Sequence, residues 1–172
     1  MSRTDRRLRP STYGADEGAA DHEENDMPKY LLGTTFEPGA DPTPMEEWTE
    51  DEVTAHLNYF EVLGRRLRES GELVEGTILT GPDRAKIVRS GPGGETVVTD
   101  GPFQEFKEWL AGFLIVEVPD EARALEIAAL VSAVPGRGGV PAGQPTHVRQ
   151  VMDEGPSDAA EMGEYLGTAR GA

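Results

Sequence analysis

Proton chemistry near neutral pH needs a group that can both take and give a proton, and His56 is the best-placed candidate in this chain. It lies three residues after Val53 and four before Phe60, at or beside an apolar helical stripe. The same position suits a half-buried histidine satisfied by a backbone or side-chain partner. Asp100 opens the tetrapeptide Asp100-Gly101-Pro102-Phe103, so its carboxylate ends a strand at a sharp turn. There it can serve as an acid or orient His56, or it can cap its own turn, as Asp does before Gly-Pro. Phe103 then fills a core or cleft wall. Glu105 offers a second acid and Lys107 a charge beside it; as an exposed ion pair they are worth only ~0–1 kcal/mol. Arg149 can clamp an anionic substrate through two parallel hydrogen bonds, or pair with Asp100 or Glu105. His147 shares a strand face with Arg149. With His56 these residues lack the carboxylate or cysteine spacing of a metal site, so no metal and no cofactor is expected. The chemistry these groups suggest is a lyase- or isomerase-type proton transfer on a small molecule. His56 is the base, Asp100 the orienter or acid, and Glu105, Lys107, Arg149 and Phe103 contact the substrate.

The elements that would hold these groups can be read from the pattern. Tyr30 to Thr35 reads as a first strand, ended by the turn-rich stretch from Glu37 to Pro42. Thr49-x-x-Glu52 is a capping box, with Trp48 and Val53 spaced as a hydrophobic staple. Val53, Leu57, Phe60, Leu63 and Leu67 follow at helical spacing and predict a helix over 50–70 with that stripe on one face, stopped by Gly71. Leu73 to Leu79 reads as a second strand. Arg84 to Arg89 and Thr96 to Thr99 read as a hairpin around Ser90-Gly91-Pro92-Gly93-Gly94. A short helical segment is expected around Gln104 to Leu110. The near-continuous apolarity of Gly112 to Val118 predicts a strand buried on both faces or lying at a dimer interface. Asp120 caps a second helix to about Ala133, and Thr146 to Met152 closes the domain as a last strand. Strand, helix, strand, hairpin, strand, helix, strand predicts an α+β, ferredoxin-like antiparallel sheet with two helices on one face. The other face needs a cover. No tandem repeat supplies one, so a homodimer packed sheet to sheet, a dimeric α/β barrel, is expected.

The bulk composition narrows the partners. The chain has 172 residues, enough for one domain at 27–152, and a formal net charge of -16. Such acidity repels phosphate backbones, so no nucleic-acid partner is expected. No apolar run approaches the ~20 residues needed to cross a bilayer, and the Arg-rich N-terminus lacks an apolar signal core, which favours the cytoplasm and no membrane partner. The chain contains no cysteine, so it has neither disulfides nor a thiol nucleophile. Residues 1–26 carry Arg3, Arg6, Arg7 and Arg9, then a run of acids, and read as a disordered arm. Residues 153–172 read as an acidic flexible tail with at most one helical turn at Glu161–Leu166.

Several of these residues form a larger pattern. Thr99-Asp100-Gly101-Pro102-Phe103, then Glu105, Lys107 and Leu110-Ala111-Gly112-Phe113, resemble the signature of the DGPF-domain branch of the YCII-related proteins. Val148-Arg149-Gln150-Val151-Met152 is similar to that family's closing strand, and Gly71, Leu73-Val74 and Gly76 to its second. The resemblance implies the ferredoxin-like dimer reached above. The wider superfamily includes a dehydrochlorinase-like enzyme, and its members often pair a His on the first helix with an Asp in an Asp-Pro-aromatic motif near the end of the second. Ala55-His56-Leu57 matches the first of these, but the second place reads Ala133-Val134-Pro135-Gly136, without the aspartate. Asp100 replaces it only if its turn faces His56. Relatives of this branch also resemble genomic neighbours of extracytoplasmic-function sigma factors. The resemblance therefore allows a second expectation, a non-catalytic interaction or regulatory module in such a pathway.

Overall fold

Alternating burial along the first strand sets the frame. Tyr30 and Leu32 are buried on one side, and Leu31 points to the other. The computed structural model describes residues 27–35, 37, 39–101, 109–152 and 154–169. The chain runs β1 (Lys29–Thr35), α1 (Glu50–Glu69), β2 (Leu73–Ile78), β3 (Lys86–Ser90), β4 (Thr96–Asp100), β5 (Leu110–Glu117), α2 (Glu121–Ser132), β6 (Thr146–Gln150) and α3 (Ala159–Ala169). Strands β2, β5, β1 and β6 lie side by side in that order, every neighbour antiparallel. Each helical crossover, through α1 and through α2, skips one strand. The architecture is α+β and compatible with the ferredoxin-like split arrangement.

Both long helices begin where side chains satisfy free backbone N–H groups. Thr49 accepts from the Glu52 N–H at 3.3 Å, while Glu52 accepts from the Thr49 N–H at 2.8 Å, closing the expected capping box. Asp120 accepts from the Arg123 N–H at 2.8 Å and starts α2. The helices pack on the Tyr30 side of the sheet. The core joins Tyr30, Leu32, Val116 and Val118 to Leu63 and Leu67 of α1 and to Ala124, Ile127, Ala128 and Val131 of α2.

Four sequence expectations need revision. Leu57 is 57 % exposed and Phe60 36 % exposed, so the apolar stripe of α1 is buried only at Leu63 and Leu67. In the first half of α1 the inward row is His56, which meets the loop after α2, and Tyr59, which packs on the core and whose hydroxyl donates to the Leu130 carbonyl of α2 at 2.8 Å. Arg84 belongs to a 3-10 turn, Pro82–Arg84, and β3 begins two residues later. The β3–β4 hairpin forms its own two-stranded sheet, with Val88, Val97 and Val98 exposed. The tail holds a helix of 11 residues, α3, longer than the single turn expected, because Asp158 and Glu161 occupy free N–H groups at its start.

The central strand β5 is not buried on both faces. Phe113 and Ile115 are half-buried on the side away from the helices, beside Leu31 of β1. Leu110 folds over Gly33 on that same side, where a Cβ would stand 3.0 Å from the Leu110 Cδ1.

One ionic strap ties the start of β2 to α2. Arg123 grips Glu72 with Nε–Oε1 at 2.6 Å and Nη2–Oε2 at 3.1 Å, while Ser70 donates to the same carboxylate at 2.7 Å. Hydrogen bonds from Arg123 and then Ser70 hold the Glu72 carboxyl below the usual carboxylate range. A depressed folded-state pKa means that the unfolded chain takes up the proton first as pH falls. The strap's stabilisation is therefore complete above the ordinary glutamate value and disappears as pH drops through the lower folded value. Arg123 is partly exposed, so Glu72→Gln is expected to cost about 1–2 kcal/mol at pH 7 and clearly less near pH 3. Urea unfolding at the two pH values checks this; an equal loss at both would assign the effect to packing.

Candidate functional site

A histidine on a helix becomes a defined acid–base group only when one ring nitrogen is fixed, and α1 places His56 where that happens. His56 Nδ1 lies 2.9 Å from the carbonyl oxygen of Pro135, in the loop after α2. A carbonyl only accepts, so Nδ1 carries the proton and donates it. In the neutral ring the lone pair is then on Nε2, which has no protein partner among the described residues. The ring is half-buried between two aromatics, with Trp48 edge-on at a centroid distance of 5.6 Å and Phe60 at 5.3 Å. Trp48 is anchored by Nε1 donating to the Thr43 carbonyl at 3.1 Å.

The loop that meets His56 is clamped from two sides. Glu52, one turn before His56, accepts from the Gly138 N–H at 2.7 Å with the carboxylate oxygen that the capping box leaves free. Gly138 adopts φ of 68°, a left-handed conformation that aims its N–H at α1. The Glu52 carboxyl is held below its ordinary range, first by the Gly138 N–H, then by Thr49, with the Arg137 charge adding to both. Arg137 Nη1 donates to Thr43 Oγ1 at 3.2 Å. Asp41 accepts from the Thr43 N–H at 2.9 Å, and the Thr43 hydroxyl first and this N–H second lower its pKa. The Ala40 N–H donates to the Ala142 carbonyl at 2.7 Å. A Cβ on Gly39 would stand 2.0 Å from that same carbonyl oxygen, so the loop before α1 approaches this closely only because residue 39 is glycine.

Asp100 stands elsewhere in the fold. It ends β4 directly opposite Lys86, whose Nζ reaches its Oδ1 at 2.5 Å, and its side chain is 89 % exposed. The hydrogen bond and then the charge of Lys86 hold its carboxyl below the ordinary aspartate range. No hydrogen bond joins His56 and Asp100 among the described residues. Arg149 and His147 are exposed on β6, whereas Val148 between them packs on the core. Both therefore face the side of the sheet away from α1 and His56. Phe103, Glu105 and Lys107 lie outside the described residues, as does the start of the expected helical segment at 104–110. No cluster of three metal-ligating side chains occurs among the described residues.

The sequence singled out His56 but not its partner. Glu52 was visible as half of a capping box; that its second oxygen closes a loop was not. The Pro135 carbonyl lies in the stretch where related proteins are expected to carry an aspartate, which is the one signal that pointed there. The neutral His56 ring is expected as the Nδ1–H tautomer in long-range proton–nitrogen NMR spectra. Observation of the Nε2–H tautomer would rule out the bond to Pro135.

Comparison with known proteins bears on the same stretch. The YCII-related domain matches residues 29–138, from β1 through the loop that meets His56. An uncharacterized protein of Rhizobium meliloti (strain 1021) is 31 % identical over 99 residues, covering 57 % of this chain and 79 % of that protein. With a match across most of the described strands and both core helices, the chain belongs to the YCII-related family.

Proposed function

We propose that this protein is a small-molecule-binding member of the DGPF branch of the YCII-related family and that the ligand sits against His56, between Trp48 and Phe60. The observation that carries the reading is the fixed imidazole: Nδ1 is tied to a backbone carbonyl, and Nε2 keeps its lone pair on a ring flanked by Trp48 and Phe60. That arrangement suits a proton acceptor in a cofactor-free lyase- or isomerase-type step. The carbonyl orients the ring but supplies no negative charge to stabilise an imidazolium. Asp100, kept ionised by Lys86, is the anionic group proposed for that role in the assembled protein. Phe103, Glu105 and Lys107, which follow it in the chain, are the proposed substrate contacts. The sheet face that no described element covers supports a homodimer. A non-catalytic interaction module is the second reading, including one in a sigma-factor pathway; the exposed Val88, Val97 and Val98 of the hairpin favour it.

Fragment screening by His56 side-chain NMR, with thermal unfolding as a second readout, separates the two. In the first reading, hits shift the His56 resonances and stabilise the wild type but not His56→Ala. Any turnover then found falls about 10²–10⁴-fold in His56→Gln. Hits that bind His56→Ala as well as wild type would move the weight to the interaction module.

A further inference from the structure

The sheet face opposite the helices has an ordered distribution of charge. Register aligns one row across all four strands: Glu75 of β2, Ile115 of β5, Leu31 of β1 and Arg149 of β6. The next row is Thr77, Phe113, Gly33 and His147. Each row is apolar in the middle; the β2 edge carries an acid and the β6 edge basic side chains. Glu75 and Arg149 are both exposed, and among the described residues neither has an ion-pair partner. On a chain of net charge -16, this row is neutral overall, so it is the kind of surface on which two copies repel least.

Two copies can stack these faces about two kinds of axis lying between the sheets. An axis across the strands lays β2 over β2 and, where it runs along this row, sets Glu75 against its own copy. An axis along the strands lays β2 over β6, with Leu31, Phe113 and Ile115 enclosed between them. We infer that the homodimer forms about the axis along the strands, with Glu75 of each copy facing Arg149 of the partner subunit. This rests on the homodimer proposed above and adds its orientation and the residue pair that specifies it. Because the axis is two-fold, each substitution acts twice, and charge pairing decides between two packings that bury the same apolar residues.

Sedimentation equilibrium of the full chain tests the pair. Glu75→Arg and Arg149→Glu are each expected to weaken the dimer about tenfold, because each sets like charges together at two places. The double variant is expected to recover wild-type affinity. The chain has no cysteine, so a cross-linking arm is free of background. A mixture of Glu75→Cys and Arg149→Cys proteins is expected to join through a short bismaleimide that spans the ~10 Å between packed sheets, while neither joins to itself. A wild-type monomer would overturn the assembly itself. A dimer that ignores both charge reversals, or one in which Glu75→Cys joins to its own kind, would overturn the orientation while leaving the homodimer standing.

Discussion

The antiparallel ladder between β1 and β5 is the constraint on which the rest of this structure depends. Strand side chains alternate, so pairing Leu32 with Leu114 and Tyr30 with Val116 commits one complete face to the helices. A slip of one residue would turn Leu31, Phe113 and Ile115 toward α1 and α2 and push the present core outward. The bulge at Thr34–Thr35 lies at the far end of the ladder, so the register of the core rows is untouched by it. With the ladder set, β2 can add only beside β5 and β6 only beside β1. The crossovers then bring α1 and the loop after α2 to the same end of the molecule. His56 meets Pro135 because of that topology.

Locally encoded features were readable from residue types. The capping box at Thr49, the cap at Asp120 and the hairpin between β3 and β4 rest on interactions within a few residues, and the structure contains all three. Element order likewise predicted the α+β architecture. What escaped reading depended on distant partners. The apolar spacing of α1 marked a stripe, but which part is covered depends on how far the helix overhangs the sheet. Hence Leu57 and Phe60 stay exposed while Tyr59 turns inward. The hairpin was legible as a hairpin, but not as a sheet separate from the main one. Asp100 was recognisable as a turn acid, whereas its pairing with Lys86 follows from cross-strand register. The Pro135 carbonyl could not be read as a histidine partner, since every residue has a carbonyl and only geometry selects one.

That choice of partner has chemical weight. A carboxylate behind a histidine stabilises the charged ring and raises its basicity, whereas a backbone carbonyl chiefly fixes tautomer and orientation. The Pro135 loop is itself held by Glu52 and, through Arg137, by the Thr43 loop. The position of the imidazole therefore depends on three segments of chain rather than on one neighbouring acid. The rigidity of the site and the integrity of the N-terminal cap of α1 are coupled, because one glutamate serves both.

The β3–β4 hairpin has one more implication. Its ladder is shared with no other described strand, and backbone bonds fasten it near its roots, from the Leu79 N–H to Ala111 and from the Gly101 N–H to Ala85. Lengthening or trimming it by paired residues would leave every rung of the main sheet in place. Evolution can therefore reshape this arm almost independently of the core, adjusting its reach and surface while the stability of the domain stays nearly constant.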